Sequence, residues 1–244
     1  MEKTGVTVIS PHLDDAAFSL GITITRLSEL GYGIKIVNCY TVSKYAPYSH
    51  ETCIQAVSAL RLQEDAAFLA NIASLQRVIN LERLDAPLRP GCEAVCAGRD
   101  FTSADHLEVD VLSAELLSVL SEDALLLPMA LGHHIDHRIA RNAALMASSA
   151  GSIGFFEDLP YAIYYDDEQI RMAVYELEAA LELKLHPIVV KARDAIVRKQ
   201  RIVEFYRSQA GPAELAAILN HLKQYGGERI WVEPVLFEYL SRFL

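Results

Sequence analysis

The sequence predicts an α/β protein: a single Rossmann-like, three-layer α/β/α domain around a mostly parallel sheet. Three observations predict it. Short apolar runs alternate with longer stretches of helical periodicity. Those runs are apolar throughout, as strands covered on both faces are. Finally, 52% hydrophobic residues in a chain of 244 supply a large core and exclude a disordered chain.

Val6 to Ser10 is a β-branched run suited to a buried strand. Ala16 to Leu30 has apolar residues at helical spacing and stops at Gly31, a natural C-cap. Ile34 to Tyr40 reads as the second strand, and Glu51 to Asn71 as a long helix with Ile54, Val57, Leu60, Ala67 and Phe68 on one face. Val78 to Leu84 is the third strand, followed by a loop punctuated by Pro87, Pro90 and Gly91. Leu107 to Leu120 is helical, Ala124 to Met129 is a fully apolar fourth strand, and His134 to Ser149 is helical again. After Gly151 the alternation blurs. Ile153 to Glu157 and Ala162 to Tyr165 read as short strands, Ile170 to Leu183 as a strand or hairpin, and Lys191 to Ser208 and Pro212 to Tyr225 as helices. No linker, repeat or low-complexity stretch interrupts the chain. Residues 1–150 therefore form the core, and 151–244 extend the same domain.

Thirty-two acidic against 22 basic residues give a net charge of −10, which argues against a nucleic-acid partner. No apolar run approaches the roughly 18 residues that cross a bilayer. The segment Met1 to Thr4 leads directly into the first strand without a secretory region, so a cytoplasmic location is expected. Four cysteines are too few for a disulfide scaffold, and Cys92 and Cys96 have no matching second pair, so free thiols are expected.

Open α/β sheets bind ligands at the carboxyl ends of their strands. Ser10-Pro11-His12-Leu13-Asp14-Asp15 follows the first strand, and Leu131-Gly132-His133-His134-Ile135-Asp136-His137 follows the fourth. His12, Asp15 and His137 make a two-histidine, one-carboxylate set, the donor mix of hydrolytic zinc sites, sufficient for one divalent ion. Asp14 is then free to serve as general base. His134 sits one helical turn before His137, and Asp136 is placed to fix one of these rings by a hydrogen bond. Each feature also has a plainer reading. Asp14 or Asp15 alone is a helix cap, and Asp166-Asp167, with no histidine nearby, is a solvated turn.

These two loops resemble the PIG-L / LmbE-like zinc-dependent N-deacetylases. Arg61-Leu62-Gln63-Glu64-Asp65, Leu84-Asp85, Phe156-Glu157-Asp158-Leu159-Pro160-Tyr161 and Tyr206-Arg207-Ser208-Gln209 extend the resemblance over most of the chain. It implies hydrolysis of the N-acetyl group of an amino sugar or its conjugate, releasing acetate. It implies zinc held by His12, Asp15 and His137, with Asp14 as base. His134 would stabilise the oxyanion or protonate the amine, oriented by Asp136, and Arg61 and Asp85 would contact sugar hydroxyls. Two positions depart from the family: Ala16 stands where many relatives have Glu, and Gly132 where many have a Tyr thought to help the oxyanion. Two rivals remain at this point, a metal-dependent phosphate-ester hydrolase and an inactive sugar-binding relative. The oligomeric state is open, a homo-oligomer included.

Overall fold

The computed structural model describes residues 5–92, 96–121, 123–149 and 152–241, without the Tyr239 side chain. The stretch 1–4, read above as lacking a secretory segment, and Gly151, where the alternation was seen to blur, lie outside the described residues. One seven-stranded sheet runs through the protein. Its strands are β1 (Val6–Ser10), β2 (Ile34–Asn38), β3 (Leu75–Asn80), β4 (Ala124–Pro128), β5 (Ile153–Phe156), β6 (His186–Val190) and β7 (Glu228–Val232), in the order β3-β2-β1-β4-β5-β7-β6. The first five are mutually parallel, while β7 runs antiparallel to both β5 and β6. β1 and β4 are buried along their whole length; β4 is apolar throughout, and β1 carries only the small hydroxyls of Thr7 and Ser10 among apolar residues.

The helices are α1 (Asp15–Glu29), α2 (Ile54–Leu69), α3 (Ser103–Leu117), α4 (Ile135–Ala147), α5 (Asp167–Leu181), α6 (Ala195–Val203), α7 (Pro212–Tyr225) and α8 (Pro234–Leu240). From β1 the chain moves outward to β2 and β3, then returns to pair β4 on the other side of β1. Right-handed crossovers place helices on opposite faces when the direction reverses. The gap between the carboxyl ends of β1 and β4 is therefore the topological switch point of the sheet. Both candidate loops open there.

The C-terminal third differs from expectation in three places. Ala162 to Tyr165 is not a strand: Tyr161–Tyr164 form a 3₁₀ turn. Ile170 to Leu183 is neither strand nor hairpin but most of α5, with Ile170, Val174 and Leu177 buried at helical spacing. Asp166 is no idle turn residue, since it begins α5 with a capping box to Gln169. β6 and β7 went unread because polar residues occupy them. Glu228, at the start of β7, is buried and accepts the Ile22 and Thr23 amides of α1 at 2.9 and 2.7 Å, and the Lys199 ammonium at 2.6 Å. A buried charge persists only when paired this completely. All four cysteines are free.

Candidate active site

The turn after β1 is built by its own hydrogen bonds. Ser10 Oγ accepts the Ala16 amide at 3.0 Å, and Asp15 Oδ2 accepts the His12 amide at 2.8 Å. The same Asp15 oxygen lies 3.1 Å from His12 Nδ1 and 3.3 Å from His137 Nε2. Asp14 occupies the N-cap position of α1 yet its side chain caps nothing. Its Oδ1 instead receives Arg61 Nη2 at 2.9 Å. Neither aspartate is the simple helix cap of the plainer reading.

After β4 the chain passes through Ala130, Gly132 and His133, all at positive φ (63°, 79° and 54°), and enters α4 with His134 as N-cap. His134 Nδ1 accepts the Asp136 amide at 3.2 Å. With Nδ1 accepting, the neutral ring carries its proton on Nε2. The Asp136 carboxylate is on a different ring from the one the resemblance implied. It meets His12 Nε2 at 3.0 Å, the Ala86 amide at 2.8 Å and Arg89 Nη2 at 2.5 Å, while its backbone alone serves His134.

The fully buried His137 directs Nδ1 to Asp158 Oδ1 at 2.6 Å, and Asp158 is itself anchored by the Leu131 amide at 3.0 Å. Asp158 was not singled out from sequence. The signal was present: Glu157-Asp158 follows a strand, the same position that exposed the other two loops.

His12, Asp14, Asp15, His134, Arg61 and Asp85 line one cleft of about 280 Å³ together with Tyr45, Tyr161 and Gln209. His137 and Asp136 are fully buried behind its floor. Arg61 is itself buried, and its guanidinium is committed to Asp14 and, at 3.0 Å, to Ser43 Oγ. Asp85 keeps a buried Oδ1 without a hydrogen-bond partner. Gly132 is filled by a neighbour: a Cβ there would lie 2.8 Å from Tyr161 Cβ and Cγ. Tyr161 in turn sets its ring edge-on to His137, with centroids 5.5 Å apart.

Burial alone would discharge His12, but the Asp136 and Asp15 carboxylates outweigh it and push the imidazole up to about 10. Burial opposes ionisation of Asp15 too, yet His137 and His12 hold it below the usual carboxylate range. His134 has no carboxylate on its ring. Burial, with His12 and His137 alongside, lowers it to about 3.

Donor atoms of His12, Asp15 and His137 lie within 4.8 Å of one another. His137 Nε2 is buried without a hydrogen-bond partner. A buried imidazole nitrogen left open beside a carboxylate oxygen suits a cation, and two histidines with one carboxylate suit a divalent ion. A second set, His12, His134 and Asp136, shares His12. Its carboxylate is already taken by Arg89 and the Ala86 amide, so the first set is the better fit.

The profile of PIG-L, the GlcNAc-PI de-N-acetylases, matches residues 7–148, a span holding both loops. The chain belongs to the PIG-L family. This PIG-L protein is 25% identical over 229 residues to 2'-N-acetylparomamine deacetylase of Streptomyces fradiae, covering 92% of this chain and 80% of that protein. Among solved structures it is similar to the zinc-inhibited form of a teicoplanin deacetylase, with a TM-score of 0.71, 22% identity and coverage of 94% and 98%. It is also similar to N,N'-diacetylchitobiose deacetylase from Pyrococcus horikoshii, with a TM-score of 0.65, 17% identity and coverage of 97% and 86%. The two structural likenesses carry the fold. No described helix is long and apolar enough to cross a membrane.

Proposed function

We propose that this PIG-L protein is a zinc-dependent N-deacetylase that hydrolyses the acetamide of an amino sugar within a small glycoconjugate, releasing acetate and a free amine. The observation that carries the reading is the convergence of His12, Asp15 and His137 beside Asp14 and His134 in one cleft. Relatives named for deacetylating paromamine, teicoplanin and chitobiose derivatives support the substrate class. The cleft, at about 280 Å³, is sized for one sugar ring, so the rest of the conjugate lies outside it.

His12, Asp15 and His137 would hold a single zinc ion, which would supply Lewis acidity, enough to bring the pKa of water to about 7 and to polarise the amide carbonyl. Asp14, held by Arg61 and free of any capping bond, takes the proton from the attacking water. His134 is kept neutral by burial and offers its Nε2–H to the oxygen on which charge develops. With the His134 Nε2–H engaged by that oxygen, Asp14 returns the proton it took to the leaving amine. Asp136 orients His12, and Asp158 orients His137, each through the ring nitrogen on its own side. Asp85, which lines the cleft, accepts a hydrogen bond from a sugar hydroxyl.

The test is acetate release from N-acetylglucosamine conjugates and from N-acetylated aminoglycoside fragments, before and after chelation and with one equivalent of zinc restored. Turnover lost on chelation, regained with zinc and reduced about 10²–10⁴-fold in Asp14→Asn is expected. Turnover that survives exhaustive chelation sinks the proposal.

A further inference from the structure

A second cavity of about 530 Å³ lies on the other side of the Leu131–His133 turn, sharing no lining residue with the cleft. One wall belongs to α4 and the turn before it, through Met129, Leu131, His133, Arg138 and Arg141. The opposite wall is α5.

The arginines of this wall stand apart from the others. Every other described arginine that is at least partly buried holds a carboxylate: Arg26 and Arg198 pair with Glu29, Arg61 with Asp14, Arg83 with Glu108, Arg89 with Asp136, Arg99 with Asp105, and Arg229 with Glu157. Arg138 and Arg141 are partly buried and, among the described residues, have no carboxylate partner. Their known bonds go to neutral groups. Arg138 Nη1 donates to the Arg99 carbonyl at 2.5 Å, and Arg141 Nη1 to the Met129 carbonyl at 2.6 Å. Three residues apart on α4, they face one side of the helix. Glu176, in the cavity lining, and Asp158 lie within electrostatic reach of Arg141, but neither carboxylate bonds to either guanidinium. In a chain of net charge −10, carboxylates are abundant. Two adjacent guanidiniums left without one, on the wall of one cavity, make a recognition surface for an oxyanion. The facing wall of α5 offers Met172, Ala173, Leu177 and Ala180 as an apolar stretch, with Gln169 and Glu176 as its polar residues.

We propose that this cavity is a binding site for a small organic anion, a phosphate or carboxylate group carried on an apolar body. The anionic group lies against Arg138 and Arg141, and the body lies on α5. The site is separate from the deacetylase cleft and does not depend on that reading.

Phenyl phosphate, inorganic phosphate and benzoate are the probes, titrated by calorimetry into the zinc-loaded protein. Wild type is expected to bind phenyl phosphate saturably, more tightly than inorganic phosphate and less tightly as salt rises. Benzoate bound as tightly would assign a carboxylate ligand, and benzoate bound weakly a phosphate ligand. Arg138→Gln/Arg141→Gln is expected to weaken phenyl phosphate at least tenfold. Because Arg141 also ties down a backbone carbonyl, Met172→Glu serves as the second variant. Met172 is 55% exposed, so the change puts a carboxylate into the cavity wall without touching the core, and it should weaken binding similarly. His137→Ala, which removes a zinc-site histidine, should leave binding unchanged. Binding that is absent, or that survives both cavity variants, overturns the proposal. So does binding lost only in His137→Ala, which would place the anion on the zinc.

Discussion

Replacing Gly132 by alanine tests how the cleft is assembled. Two separate costs follow from the structure. Gly132 has φ +79°, where an L side chain is strained by about 1–2 kcal/mol. Its new Cβ would also stand 2.8 Å from Tyr161 Cβ and Cγ. The Tyr161 Cβ is fixed by its backbone and cannot swing away by a rotamer change, whereas Cγ moves only with χ1. Overpacking of this kind costs about 1–3 kcal/mol. The sum, about 2–5 kcal/mol, corresponds to a fall in Tm of roughly 5–15 °C for a domain of this size. Gly226 provides the control, with φ +74° and nothing within 4 Å of its added Cβ. Gly226→Ala should show the backbone cost alone, about 1–2 kcal/mol. The assay is thermal unfolding of both variants, then of Gly132→Ala in a Tyr161→Gly background, which removes Cβ and Cγ alike. There the clash is gone, and the penalty at 132 should fall to that seen at 226. A penalty at 132 that is the same with or without the Tyr161 ring would refute the reasoning. Turnover of Gly132→Ala should fall as well, because the Tyr161 ring that must shift rests edge-on against His137.

Three more outcomes follow from the site and its supports. Arg61→Ala should lower kcat about 10–100-fold with zinc content unchanged, since the base loses the group that positions it; a rise in KM alone would make Arg61 a sugar contact instead. Asp158→Asn should weaken zinc about 10–100-fold, measured by competition with a chelating dye, and unchanged affinity would show that His137 needs no partner. Burial raises the Asp65 carboxyl to about 7. A carboxyl that titrates higher folded than unfolded stabilises fully below its unfolded pKa near 4, and that contribution is lost as pH rises towards about 7. Asp65→Asn cannot ionise, so its profile of Tm against pH should be flatter across that window than that of wild type; an identical slope would show that Asp65 does not carry it.

The first half of the fold was legible because β1, β2 and β4 are dominated by buried apolar residues and its two site loops are contiguous. Position after a strand singled out His12, Asp14, Asp15, His134 and His137, and all five converge. The second half obscured itself in two ways. In α5 the β-branched and aromatic residues between Ile170 and Leu183 suggested extended chain, although Ile170, Val174 and Leu177 already kept helical time. In β7, Glu228 and Arg229 open the strand with two charges, which hides it from a search for apolar runs. Both residues are buried because Lys199 and Glu157, distant in sequence, neutralise them. Such pairing exists only once the chain is folded. Arg61 shows the same limit at the site: its place on α2 was visible, but its commitment to Asp14 across 47 residues was not.

The bond from His137 to Asp158 has a consequence for where this protein can be cut. The family profile matches only to residue 148, and every expected zinc ligand falls inside that span. Asp158 falls outside, at the end of β5, the strand that pairs with β4. A fragment trimmed to the recognisable segment would keep the ligands but lose the carboxylate that sets one of their rings. The functional unit is therefore longer than the segment the family profile matches, and a hydrogen bond from beyond that segment completes it.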